Sequence, residues 1–178
     1  MCVIIDADVL SRVFSKANVE HHEFEPVLKW IMEGPGRVVY GGTKYREHLL
    51  NSPRYLALFT ELSRLNKVCA QKTATVDLET EAVLALEADP DFDDPHIVAI
   101  LRVSGCRLVC TDDKRSHKFL HDAKFYRDRA HRPSIYSSSA NADLLCRKMI
   151  GKCCDPVVEL NKAAKSVFKE YLAKHDAR

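Results

Sequence analysis

Five short, mostly apolar triplets punctuate the chain: Val3-Ile4-Ile5, Val38-Val39-Tyr40, Val68-Cys69-Ala70, Leu108-Val109-Cys110 and Ser134-Ile135-Tyr136. Runs this short, apolar throughout rather than alternating, read as strands covered on both faces. Between them lie stretches with helical spacing. Phe24, Val27, Leu28 and Ile31 recur at intervals of three and four before Gly34-Pro35-Gly36 stops the pattern. Further helices are expected over 43–50, across Tyr55, Leu58, Phe59, Leu62 and Leu65, over 76–87, and from Asp94-Pro95 to Gly105, where Pro at the first helical position marks the start. A basic helical stretch should follow Asp113, and a helix capped by Ser139 should run to Ile150. Strands alternating with helices can connect only through right-handed crossovers onto a parallel sheet. The predicted fold class is therefore α/β, a three-layer α/β/α sandwich around a parallel sheet of four to five strands.

At 178 residues the chain fits one domain, 1–178, with 155–178 as a helical extension striped by Val157, Leu160, Ala164, Val167, Phe168 and Tyr171. That stripe is expected to pack on the core or on a partner. A hydrophobic fraction of 46% with 29% charged residues excludes a disordered chain. No apolar run exceeds five residues, whereas a membrane helix needs about twenty, so no membrane partner is expected. No basic region precedes the first apolar run, which argues against a secretory leader. Seven cysteines without a Cys-x-x-Cys, two of them adjacent at 153 and 154, do not form a disulfide framework, and the expected compartment is the cytoplasm. A net charge of +2 does not by itself mark a nucleic-acid binder.

Ligands of open parallel sheets sit beyond the carboxyl ends of strands, where strand order reverses. Acids fall there repeatedly. Asp6 and Asp8 follow the first strand, Glu47 lies on the helix after the second, Asp94 opens the helix before the fourth, and Asp112 and Asp113 end the fourth. Singly, each also reads as a helix cap or a solvated charge. Together they would repel one another unless a cation intervened, and an all-oxygen donor set suits Mg²⁺ or Mn²⁺. Such ions polarise phosphodiesters and activate water.

On these residues the chain resembles the PIN-domain nuclease family. The segments that carry the likeness are VIIDADVL (3–10), the Glu of TKYREHLL (43–50), DDPHIVAILRVSG (93–105) and LVCTDDK (108–114). The resemblance implies that Asp6, Glu47, Asp94 and Asp113 are catalytic carboxylates on Mg²⁺ or Mn²⁺, with Thr111 as a hydroxyl beside them. It implies a metal-dependent endonuclease, with RNA favoured over DNA as partner, as in bacterial toxins silenced by an antitoxin. An antitoxin or other protein partner, and a homodimer, remain open. The family usually has Asn where Asp8 stands, and the doubled acids leave open which of Asp93/Asp94 and of Asp112/Asp113 ligates.

Past the fourth strand, residues 113–132 are rich in Lys, Arg and His. Lys114, Arg115, Arg127 and Arg129 are the candidate phosphate contacts, with Phe119, Phe125 and Tyr126 either stacking on bases or buried in the core. Two other readings compete. Asp6-Ala7-Asp8 also fits the opening motif of haloacid-dehalogenase-like phosphatases, with Asp6 as nucleophile, but that leaves Glu47 and Asp94 without a task. A catalytically inert binding module is the second. Cys106-x₃-Cys110 and His117-x₃-His121 suggest zinc, but the gap between the pairs is short and buried packing explains the cysteines better.

Overall fold

A computed structural model describes residues 2–146, 152–155 and 157–176. The five triplets are strands: β1 (Cys2–Ile5), β2 (Arg37–Tyr40), β3 (Val68–Ala70), β4 (Leu108–Cys110) and β5 (Ser134–Tyr136). They form one sheet in the order β3-β2-β1-β4-β5, every pair parallel. Val3, Ile4, Ile5, Val38, Val39, Leu108, Val109 and Cys110 are fully buried, which accounts for the absence of alternation in their sequence.

The helices are α1 (Leu10–Phe14), α2 (His21–Met32), α3 (Gly42–Leu50), α4 (Pro53–Arg64), α5 (Thr73–Leu84), α6 (Pro95–Ser104), α7 (Lys114–Leu120) and α8 (Lys162–Asp176). The connections from β1 to β2 and β2 to β3 step one way along the sheet, and those from β3 to β4 and β4 to β5 step the other. Right-handed crossovers therefore place α1, α2 and α4 on one face and α5–α7 on the other, while α3 packs against α5 and α6. The architecture is the three-layer α/β/α sandwich. Its reversal of direction falls between β1 and β4.

Two glycines set geometry. Gly42, with φ of 80°, opens α3 where a Cβ would lie 2.7 Å from Val76 Cγ1, so α3 can approach α5 only with Gly there. Gly105, with φ of 66°, ends α6 in the left-handed conformation.

The C-terminal stripe needs revision. Val157 and Leu160 precede the helix, which begins at Lys162, because Asn161 caps it: its side chain accepts from the Ala164 N–H at 2.9 Å. Phe168 is fully buried, and Asp176 accepts from the Lys16 N–H at 2.6 Å, from Arg54 at 2.9 Å and from the Ser15 hydroxyl. The segment thus packs on α1 and α4 as part of the same body. After Ser138 a 3₁₀ helix (Ser139–Leu144) replaces the expected α-helix, and the remainder of that expectation, 147–150, lies outside the described residues. Among the described residues, no helix is long and apolar enough to cross a membrane.

Candidate active site

β1 and β4 end side by side, and the Asp6 N–H continues their ladder to the Cys110 carbonyl at 2.9 Å. This puts Asp6 and Thr111 at the switch point. Thr111 Oγ1 donates to Asp6 Oδ2 at 2.8 Å, and the Asp8 N–H reaches Asp6 Oδ1 at 3.4 Å. Asp6 is buried. Burial raises its pKa, the Thr111 and Asp8 hydrogen bonds oppose the rise, and the charges of Asp8 and Asp113 reinforce it.

Asp94 occupies the N-cap position of α6, yet its side chain makes no capping hydrogen bond. The ordinary explanation for an Asp before Pro at a helix start therefore fails here. Its carboxylate instead joins those of Asp93 and Asp113, the three offering oxygens all within 4.8 Å of one another. The Asp94 pKa is pushed up to about 7, by burial first and then by the charges of Asp6, Asp93, Asp8 and Asp113. Side chains from three separated segments thus meet at one end of the sheet.

Arg115 partly neutralises this group. Its Nε and Nη2 each approach Asp113 at 3.2 Å, and Nη2 lies 3.5 Å from Asp93. Asp113 also caps α7, accepting from the Arg115 N–H at 2.9 Å. These hydrogen bonds outweigh the desolvation of Asp113, and its pKa falls. Arg115 therefore serves as a counterion within the acid group and not as the phosphate contact expected of it. Removing it (Arg115→Ala) should leave the acids more dependent on an added cation. The rise in Tm on adding Mn²⁺ should then exceed that of the wild type, and an equal or smaller rise would show that Arg115 does not screen these carboxylates.

The doubled acids separate. Asp112 turns away to an ion pair with Arg12, which also holds Glu20 at 2.8 Å, so Asp113 is the member that faces the group. Asp93 and Asp94 both face it. Asp8 is exposed and acts on Asp6 and Asp94 through its charge.

Glu47 is not among the acids whose oxygens converge within 4.8 Å of one another. It is exposed on α3 and is not among the charges that act most strongly on Asp6 or Asp94. The side of α3 turned to the sheet carries Tyr45, whose hydroxyl donates to the Ile5 carbonyl at 2.5 Å, one residue before Asp6. Residues two apart on a helix point about 200° apart, so burying Tyr45 sends Glu47 outward. His48, one turn beyond Lys44, stacks on His96 with ring centroids 5.9 Å apart. His96 lies 3.8 Å from Asp94. Burial, aided by the charges of His48 and Lys44, lowers its pKa to about 4, so its imidazole is neutral at pH 7. Tyr45 and His96 were not candidates in the sequence reading. The only available signal was that each lies two residues from a candidate acid.

The basic rim is a correction. Arg127 lines a cavity with Gly105, Cys106 and Arg107, just before β4 begins. That is the opposite end of the strand from Asp113. Arg129 opens the 3₁₀ turn Arg129–His131, which leads into the start of β5 at that same far end. Lys118 pairs with Asp89 at 3.0 Å, and Lys124 pairs with Glu87. Phe119 and Phe125 are buried against Phe92 with centroids 4.8 and 5.3 Å away, so they are core residues. Lys114, exposed at the start of α7, remains at the acid end.

Cys110 lies at the acid end of β4 and Cys106 before its start, so the Cys106/Cys110/His117/His121 spacing corresponds to no metal-ligating group among the described residues.

Comparison with protein-family models, with curated proteins and with solved structures gave no match.

Proposed function

We propose that this chain is a metal-dependent endonuclease of PIN-like architecture that hydrolyses phosphodiester bonds in single-stranded nucleic acid, RNA in preference to DNA. The observation that carries the reading is Asp94. It occupies a capping position, leaves the cap unmade, and holds its carboxylate among other acids at an unfavourable electrostatic cost. A structural aspartate has no reason to accept that cost, whereas a ligand for a divalent cation does. The donor set fits a hard ion, since Asp94, Asp113 and Asp93 offer only oxygen, with Asp6 beside them. When bound, Mg²⁺ or Mn²⁺ would polarise the phosphodiester and lower the pKa of a water molecule.

The protein's own contribution is placement. Thr111 fixes the Asp6 carboxylate by donating to one oxygen and leaves it ionisable. Tyr45 anchors the end of β1 that carries Asp6. Neutral His96, beside Asp94, borders the site without adding positive charge. Lys114, exposed at the start of α7 and at the acid end of the sheet, would hold a phosphate. The haloacid-dehalogenase-like reading employs Asp6, Asp8 and the Asp112-Asp113 pair but gives Asp93 and Asp94 no role, so their convergence with Asp113 favours the nuclease.

The test is cleavage of labelled single-stranded RNA and DNA with Mn²⁺ or EDTA. Cutting should require the ion, favour RNA and vanish in Asp6→Asn, whose fold is preserved because the shape of the side chain is unchanged. Undiminished cleavage by a contaminant-free Asp6→Asn preparation would refute the assignment.

A further inference from the structure

At the other end of the sheet lies a group of thiols that the acid site does not use. Cys2 begins β1 and pairs with Arg37, while Cys69 in β3 pairs with Val39. Arg37 and Val39 are two apart on β2, so Cys2 and Cys69 project from the same face. The short 3₁₀ turn Lys152–Cys154 brings Cys153 and Cys154 to them. The Sγ atoms of Cys2, Cys153 and Cys154 all lie within 4.8 Å of one another, at 3.8 Å for Cys2–Cys153 and 3.6 Å for Cys153–Cys154. The Cys69 thiol interacts with those of both Cys153 and Cys154, and donates to the Cys153 carbonyl at 2.9 Å.

We propose that Cys2, Cys69, Cys153 and Cys154 form a thiolate site for one structural Zn²⁺ ion that fastens the segment 152–155 to the sheet. The separations are those the chemistry requires. A disulfide needs sulfur atoms about 2 Å apart. Four sulfurs about 2.3 Å from a central zinc stand about 3.8 Å from each other along the edges of a tetrahedron. The Cys2–Cys153 and Cys153–Cys154 separations match the second distance, and Cys69, outside that group of three, would close on the ion as the fourth ligand.

Burial alone does not explain the arrangement. Cysteines packed as small hydrophobes have no need to converge, and Cys110 is buried alone in β4. Here side chains from β1, β3 and one short turn meet sulfur to sulfur, across 151 residues of sequence in the case of Cys2 and Cys153. Zinc binding would release the thiol protons to solvent and leave a doubly negative ZnS₄ centre. Arg37, between Cys2 and Cys69 in register, supplies adjacent positive charge. Cys106 donates to the Cys2 and Leu108 carbonyls and its thiol also meets that of Cys2, so it borders the donor set from the β4 side.

The role is structural, because Cys2 opens the strand whose other end leads to Asp6. The same region is secured by Lys67, buried under the turn, whose ammonium donates to the carbonyls of Gly34, Gly36 and Val158. Zinc and Lys67 would together lead the chain from the sheet into α8. The inference is independent of nuclease activity.

The test is the metal content of the full chain purified under reducing conditions without a metal-affinity step, followed by Co²⁺ titration of chelator-stripped protein. Elemental analysis should find about one zinc per chain. Cobalt should produce the thiolate-to-metal charge-transfer band and visible d–d bands of a tetrahedral sulfur site, a signature that the all-oxygen acid group cannot give. Cys153→Ser combined with Cys154→Ser, or Cys69→Ser, should lose most of the zinc, while Cys146→Ser keeps it. Stripping the zinc should lower Tm by several degrees, reversibly. Wild-type protein with less than about a tenth of an equivalent of zinc and no cobalt charge transfer would overturn the proposal even if the variants failed to fold. So would an intact mass showing a disulfide among these four residues.

Discussion

Asp94→Asn should abolish cleavage and, without metal, make the protein more stable at pH 8. The two effects have one origin. In the folded state the Asp94 pKa stands at about 7 against a reference of 3.8, so the native protein binds this proton more tightly than the unfolded chain does. The carboxyl therefore favours folding below pH 3.8. That contribution is lost as pH rises between 3.8 and about 7, and above pH 7 the loss amounts to at most about 4 kcal/mol. An amide at this position keeps the shape and removes the charge. Urea unfolding in EDTA should show a gain of about 1–3 kcal/mol over wild type at pH 8, shrinking to nothing near pH 4. With Mn²⁺ the order should reverse, because the wild type gains binding energy that the variant cannot. Loss of a ligand worth several kcal/mol of charge stabilisation should slow cleavage by about a thousandfold or more. Identical stability of the two proteins at both pH values would mean that Asp94 carries no electrostatic cost, and the argument for a cation at this site would fail with it.

The fold was legible because its signal is local and repeated. A strand buried on both faces must be apolar at every position, so Val3-Ile4-Ile5 and Leu108-Val109-Cys110 stand out without any knowledge of their neighbours, and the structure places strands on those residues. Alternation with helices then implied the parallel order. The same logic located Asp6 and Asp113, since a residue following a strand on either side of the switch point has little freedom in where it can point.

What failed was inference about side-chain direction on helices and about chain path through irregular segments. Glu47 differs from Tyr45 by two positions, and which of them faces the sheet depends on the roll of α3. That roll is a tertiary matter, seen in the close approach of Gly42 to Val76 and the reach of Tyr45 to the Ile5 carbonyl, which the sequence of α3 does not contain. Arg127 and Arg129 lie beyond α7, where the chain crosses from the carboxyl end of β4 to the amino end of β5. A parallel sheet requires that return, so a basic run of this length could not remain at the acid end throughout. The opposite charges on the loop of Glu87, Asp89 and Asp91 then gave its lysines nearer partners than a nucleic acid. The thiol group was hidden for a related reason, since Cys2, Cys69 and Cys153 are far apart in sequence and only strand register and the path of the 3₁₀ turn bring them together.

The largest effect on stability should come from the last helix. Phe168→Ala should destabilise the whole protein by about 3–5 kcal/mol, the usual range for emptying a buried phenylalanine site. Phe168 is fully buried, and with Phe14, Leu28, Met32 and Leu172 it lines one groove where α8 meets α1 and α2. One turn on, Tyr171 stacks on it with centroids 5.9 Å apart. At the far end, Asp176 receives hydrogen bonds from Ser15, Lys16 and Arg54, and their effect, stronger than its desolvation, lowers its pKa. A helix tied at its centre by an aromatic ring and at its end by an ion pair should unfold together with the sheet it covers. For a chain of this size, Tm should fall by roughly 6–20 °C, still in a single transition. Val167→Ala, at the neighbouring exposed position, should change stability by less than about 0.5 kcal/mol. If α8 were a detachable appendage, Phe168→Ala would leave the main melting transition in place and add only a small early one. That outcome would separate 157–176 from the domain and remove the helix from any account of what holds the acid site together.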